Sequence, residues 1–85
     1  MKSIYKKDLD SLIYLCRQYW FTSNAELLPA RTALGMKIES DCGLNWMSSI
    51  GFIDSIIQYG GLDSNADNRT IYMAFQLFGW DVVSE

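Results

Sequence analysis

The stretch from Asn45 to Asp63, NWMSSIGFIDSIIQYGGLD, constrains the fold of this chain more than any other. Six large aliphatic or aromatic side chains fall within the thirteen positions from Trp46 to Gln58. Trp46, Ile50, Ile53 and Ile57 recur at the spacing of one helical face, and Met47, Phe52 and Ile56 widen the arc. Asn45 is suited to cap the start, and Gly60-Gly61-Leu62 to end the helix with a left-handed glycine and a hydrophobe folding back. An arc this wide predicts a central helix facing its own core, with Trp46 and Tyr59 protruding at its two ends. Gly51 inside it predicts a close approach by another helix.

The other elements arrange themselves around this one. Leu9, Leu12, Ile13, Cys16 and Trp20 form one stripe of a helix over 5–21, with Arg17, Asp10 and Gln18 expected away from it. Ser23-Asn24-Ala25-Glu26 matches a capping box. The box opens a short helix over 24–28, which Pro29 predicts to be brief or bent, and Gly35 predicts that a second short helix over 30–36 stops there. Lys37–Cys42 reads as a polar loop. A last helix over 69–78 puts Ile71, Ala74, Phe75 and Phe78 on one side, with Asp67 as its best-placed cap and Gly79-Trp80 as its stop. The same residues also alternate as a strand would, although both alternating sets are apolar and separate no inside from outside. The expected fold is all-α: one domain over residues 1–85, a compact bundle of four or five short helices, with 69–78 as the segment that could instead be a strand.

Length and charge narrow the function. Eighty-five residues support one modest core, yet the chain holds twelve aromatic residues. Part of that ring surface is expected outside, where aromatics serve as contact residues. Residues 1–37 carry six Lys/Arg against three acids, whereas residues 38–85 carry Arg69 alone against seven acids. An acidic half is poorly suited to nucleic acid and well suited to a basic protein surface. No signal-peptide-like or membrane-spanning apolar run is present, and the expected location is cytoplasmic.

Catalytic and metal motifs are missing. The chain has no His, which removes the commonest general base and metal ligand. Cys16 and Cys42 stand too far apart in sequence for a C-x-x-C site, and neither phosphate-loop pattern occurs. Asp63, Asn65 and Asp67 alternate like a calcium loop, but Asn68 stands where its Gly and Ala74 where its Glu would be. The outline of a short acidic helical chain resembles the acyl carrier proteins. Their attachment Ser lies in a D-S-L motif, whereas Asn45-Trp46-Met47 stand at the comparable place and Ser48 and Ser49 come late. A carrier role is therefore set aside, and neither enzymatic activity nor a cofactor is expected.

What remains is binding. The sequence predicts a small acidic protein–protein interaction module, an inhibitor or adaptor that occludes a basic surface of a larger protein. That class includes phage-encoded inhibitors and antitoxin-like proteins. The candidate contact residues are Tyr19, Trp20, Trp46, Asp54, Tyr59, Asp63, Asp67, Tyr72, Trp80 and Asp81. Two alternatives stand beside it. One is a helix-turn-helix-like DNA-binding regulator, which requires Lys2, Lys6, Lys7, Arg17, Arg31 and Lys37 to share a face. The other is self-association, with the basic and acidic halves meeting across a two-fold axis.

Overall fold

A computed structural model describes residues 2–60 and 68–84. The order of elements is β1 (Lys2–Tyr5), α1 (Lys6–Thr22), α2 (Leu27–Cys42), α3 (Trp46–Gly60), α4 (Arg69–Leu77) and β2 (Trp80–Val83). Four helices make up most of the chain, in agreement with the all-α expectation. Of the segment 69–78, residues 69–77 are helical and not a strand, and Phe78 is the C-cap. Pairing of the chain's two ends was not foreseen: β1 and β2 run parallel, with Lys2 beside Trp80, Ser3 beside Asp81, Ile4 beside Val82 and Tyr5 beside Val83. All four helices thus lie between two adjacent strands.

The first helix buries Leu9, Leu12, Ile13 and Cys16 as its stripe predicts, but the last member of the stripe, Trp20, is exposed at the helix end. Arg17 departs from expectation: it is buried, and its Nη1 donates to Oδ1 of Asn68 at the start of α4. Asp10, which accepts from Asn68 and Tyr72, and Gln18 are half-buried. Ser23 closes α1 and does not open α2. It takes the left-handed conformation, and its backbone N–H donates to the Tyr19 carbonyl. The following turn is held by Asn24, whose Oδ1 accepts the Glu26 N–H at 3.0 Å.

The second helix corrects three expectations. Pro29 is its third residue, inside the first turn where no backbone N–H is needed, so it neither shortens nor bends it. Gly35 does not stop it, and 37–42 are helical, with Ile38 buried in the core. The helix ends at Gly43, whose φ of 83° is the left-handed conformation that glycine adopts without strain.

The central helix α3 starts as predicted. Asn45 Oδ1 accepts the Ser48 N–H at 2.9 Å, and the Glu39 carboxylate accepts the Trp46 N–H at 3.0 Å. Two of the free N–H groups of its first turn are thereby satisfied. Ile50, Ile53 and Ile57 are buried, whereas Trp46 does not protrude but packs half-buried against the core. The helix stop at Gly61 and Leu62 lies outside the described residues. No atom lies within 4 Å of a side chain built on Gly51, so the close approach expected there does not occur; it occurs at Gly35.

The core joins Ile4 of β1, the α1 stripe, Ile38 of α2, the three α3 isoleucines, and Ile71 and Phe75 of α4. Trp80 and Val82 of β2 pack against it. Phe78, expected on the buried side of α4, falls past the helix end and is 73% exposed.

Candidate functional site

The structure does not gather the sequence candidates into one patch. Tyr19 lies under the Arg31 guanidinium, 4.8 Å from the ring centroid, and Arg31 Nη1 donates to both carboxylate oxygens of Asp54 at 3.2 and 2.9 Å. Trp20 at the end of α1 is about half exposed. Tyr59 is 80% exposed at the end of α3, where the sequence places it. Tyr72 faces α1: its hydroxyl donates to Asp10, and Lys6 stands over its ring. Trp80 and Asp81 are half-buried in β2. Asp63 and Asp67 lie outside the described residues.

Part of the acidic surface is neutralised internally. Asp54 is paired with Arg31. Asp41 and Asp8 share Lys37, whose Nζ lies 2.9 and 3.6 Å from them, and the hydrogen bond that Lys37 donates to Asp41 holds the lysine above its usual value. The same contacts disperse the basic residues. Arg17 is buried, while Arg31 and Lys37 are tied to carboxylates. Cys16 sits on the inner side of the Arg31–Asp54 pair. Burial, reinforced by the Asp54 charge, pushes its thiol up to about 12. It is an inert core thiol and not a nucleophile.

The most conspicuous binding geometry comes from residues that the sequence assigned to core and stop signals. A groove of about 210 Å³ opens between the start of α3 and the corner that joins α4 to β2. Leu44, Ser48 and Phe52 form one wall, and Phe75, Phe78 and Trp80 form the other. Phe52 holds the two walls together, meeting Phe75 and Phe78 edge-to-face with both ring centroids at 5.3 Å. Gly79, at a φ of 88°, turns the chain so that Phe78 and Trp80 flank the same opening. Leu77, next in sequence to Phe78, is 85% exposed. Among the described sequence candidates, Trp80 is the one that lines this groove. The signal for the rest was present in Phe78-Gly79-Trp80, where a helix ends between two large rings and one core cannot take both.

Among the described residues, no group of three or more His, Cys, Asp or Glu could hold a metal ion. No helix among them is long and apolar enough to cross a membrane. No family model matches the chain, and no curated protein and no solved structure shows significant similarity to it.

Proposed function

We propose that the chain works by protein–protein contact, as an inhibitor or adaptor that covers a surface of a larger protein. One observation carries this reading: an almost wholly apolar groove lined in part by Phe78, which is 73% exposed, with the next residue, Leu77, 85% exposed. Leaving such side chains in water forgoes roughly 1.5–3 kcal/mol apiece that burial would return. An aromatic anchor beside a pocket is the arrangement that concentrates binding energy in interfaces. The net charge of −3 adds steering toward a basic partner and contributes more to the rate of encounter than to the strength of the contact.

Self-association is the second reading, because the groove and the exposed Leu77 belong to the same chain and a two-fold axis could seat one copy's Leu77 and Phe78 against the other copy's groove. The DNA-binding reading requires a shared basic face, and Arg17, Arg31 and Lys37 are not free to join one.

The deciding experiment is affinity capture of the tagged protein from its native cells, with a variant carrying Leu77→Ser and Phe78→Ser in parallel. The expected result is one protein retained by the parent chain and lost by the variant. Equal capture by both would remove the groove from the account. Capture of the bait alone, with a dimer on sizing that the variant abolishes, would favour self-association. Capture abolished by nuclease would favour the DNA-binding reading.

A further inference from the structure

We propose that β1 and the cavity beside it form a docking site for an extended, basic segment of a partner protein. This site is separate from the Phe52–Phe78 groove and does not rest on it. β1 has a strand neighbour on one side only, and among the described residues neither strand makes a main-chain hydrogen bond to anything but the other. Each strand therefore keeps a row of unpaired N–H and C=O groups, the template on which a further strand adds. A two-stranded sheet of four-residue strands is marginal by itself, and a third strand would reinforce it.

The cavity identifies the occupant. It measures about 320 Å³ and lies against β1 from Ser3 to Tyr5, reaching Val83 at the end of β2, with Ile38 and Cys42 of α2 adding to its apolar part and Asp8 and Asp41 as its acidic part. The two carboxylates come from different elements, the first turn of α1 and the end of α2. Lys37 Nζ lies 2.9 Å from one and 3.6 Å from the other, so the pair already accommodates an ammonium group. One cation between two carboxylates leaves net negative charge. The Lys37 side chain is 58% exposed, and an ion pair that open is weak enough for a partner's Lys or Arg to displace it. Asp81, beside Ser3 in the strand register, adds a third carboxylate to the face that carries Ser3 and Tyr5. Side chains alternate along a strand, so the fitting segment bears Lys or Arg at every second position, with the intervening residues turned to the other face.

The test titrates the ¹⁵N-labelled full chain with a seven-residue peptide of alternating lysine and valine. Two control peptides are used, one with glutamate in place of lysine and one with methylated main-chain nitrogens. The expected result is saturable shifts at Ser3–Tyr5, Asp8 and Asp41, with both controls at least tenfold weaker. Asp8→Asn together with Asp41→Asn should weaken the lysine peptide at least tenfold. Lys37→Ala, a change at an exposed side chain that leaves the fold intact, should tighten it. Absence of binding would overturn the proposal, as would equal binding of the methylated peptide, which would reduce the effect to charge alone. Shifts confined to Phe52, Phe78 and Trp80 would also overturn it, while leaving the groove reading standing.

Discussion

A β-carbon added to Gly35 would lie 3.1 Å from Cβ of Trp46, with Ile50 Cδ1 at 3.2 Å. The first is the serious contact, because Trp46 Cβ is fixed to the backbone of α3 and moves only if the two helices part. A glycine-to-alanine change inside a helix gains about 1 kcal/mol in propensity, and overpacking a tight core typically costs about 1–3 kcal/mol. Gly35→Ala should therefore destabilise the protein by about 1 kcal/mol. Gly51→Ala, with open space around it, should stabilise by about 0.5–1 kcal/mol. Urea unfolding of the two variants checks both, and equal effects would mean that α2 and α3 do not approach at Gly35.

Ile53 is fully buried at the middle of α3. Ile53→Ala should cost about 2–5 kcal/mol. Ile53→Asp places an unpaired carboxylate in the core and should abolish the fold, since a domain of this size has about 5–15 kcal/mol in total. Far-ultraviolet circular dichroism of the Asp variant should show loss of helix. An intact helical spectrum with an unchanged melting temperature would make α3 a surface element.

Arg17 is a buried cation with one bond among the described residues, from Nη1 to Asn68 Oδ1 at 2.5 Å; among those residues its Nε and Nη2 have no hydrogen-bond partner. Asn68 in turn donates to Asp10, so it links α4 to α1. Removing Asn68 strips the guanidinium of this bond, and Asn68→Ala should cost about 2–3 kcal/mol. Arg17→Met removes the buried charge and should be neutral or stabilising by up to about 2 kcal/mol. The double variant should accordingly be more stable than Asn68→Ala alone, a coupling that a double-mutant cycle reads directly.

The sequence made α1 and α3 legible because each carries an apolar stripe at helical spacing, and α3 has Asn45 as a polar cap besides. It was misleading wherever tertiary contact overrode a local rule. Pro29 looked like a breaker, but three residues from a helix start it breaks nothing. Gly35 looked like a stop, yet its missing side chain serves the crossing of α3. The strands were hidden because four residues give too short a run for alternation to register, and parallel pairing joins opposite ends of the chain. The groove escaped for a related reason: Phe52 and Phe78 each suit a core, and only the turn at Gly79 shows that Phe78 lies outside it.

Phe78 and Leu77 are exposed, so replacing them should affect binding far more than folding. Phe78→Ser loses one edge-to-face contact with Phe52, worth about 0.5–1.5 kcal/mol, and Leu77→Ser should change stability by less than about 0.5 kcal/mol. Calorimetry should therefore place the Leu77→Ser melting temperature within a few degrees of the parent, and that of Phe78→Ser somewhat lower. A large fall for Leu77→Ser would show that this side chain is covered within the protein itself and is not presented to a partner.

Cys16 gives the fold a sensitivity to alkali with a defined sign. Burial raises its thiol from 9.0 to about 12, so the folded protein holds the proton over a range in which the unfolded chain has released it. The protonated thiol's contribution is complete below pH 9 and is lost as pH rises toward 12, at about 1.4 kcal/mol per unit. Tyr and Lys side chains titrate in the same window, so the informative quantity is a difference between proteins. Stability of the parent chain should fall more steeply between pH 9 and 11 than that of Cys16→Ala, although the variant starts lower for want of the sulfur's packing. Parallel curves would place Cys16 in contact with water. At neutral pH the same burial predicts that a maleimide labels half-buried Cys42 well before Cys16, and mass spectrometry of a time course reads the order of the two.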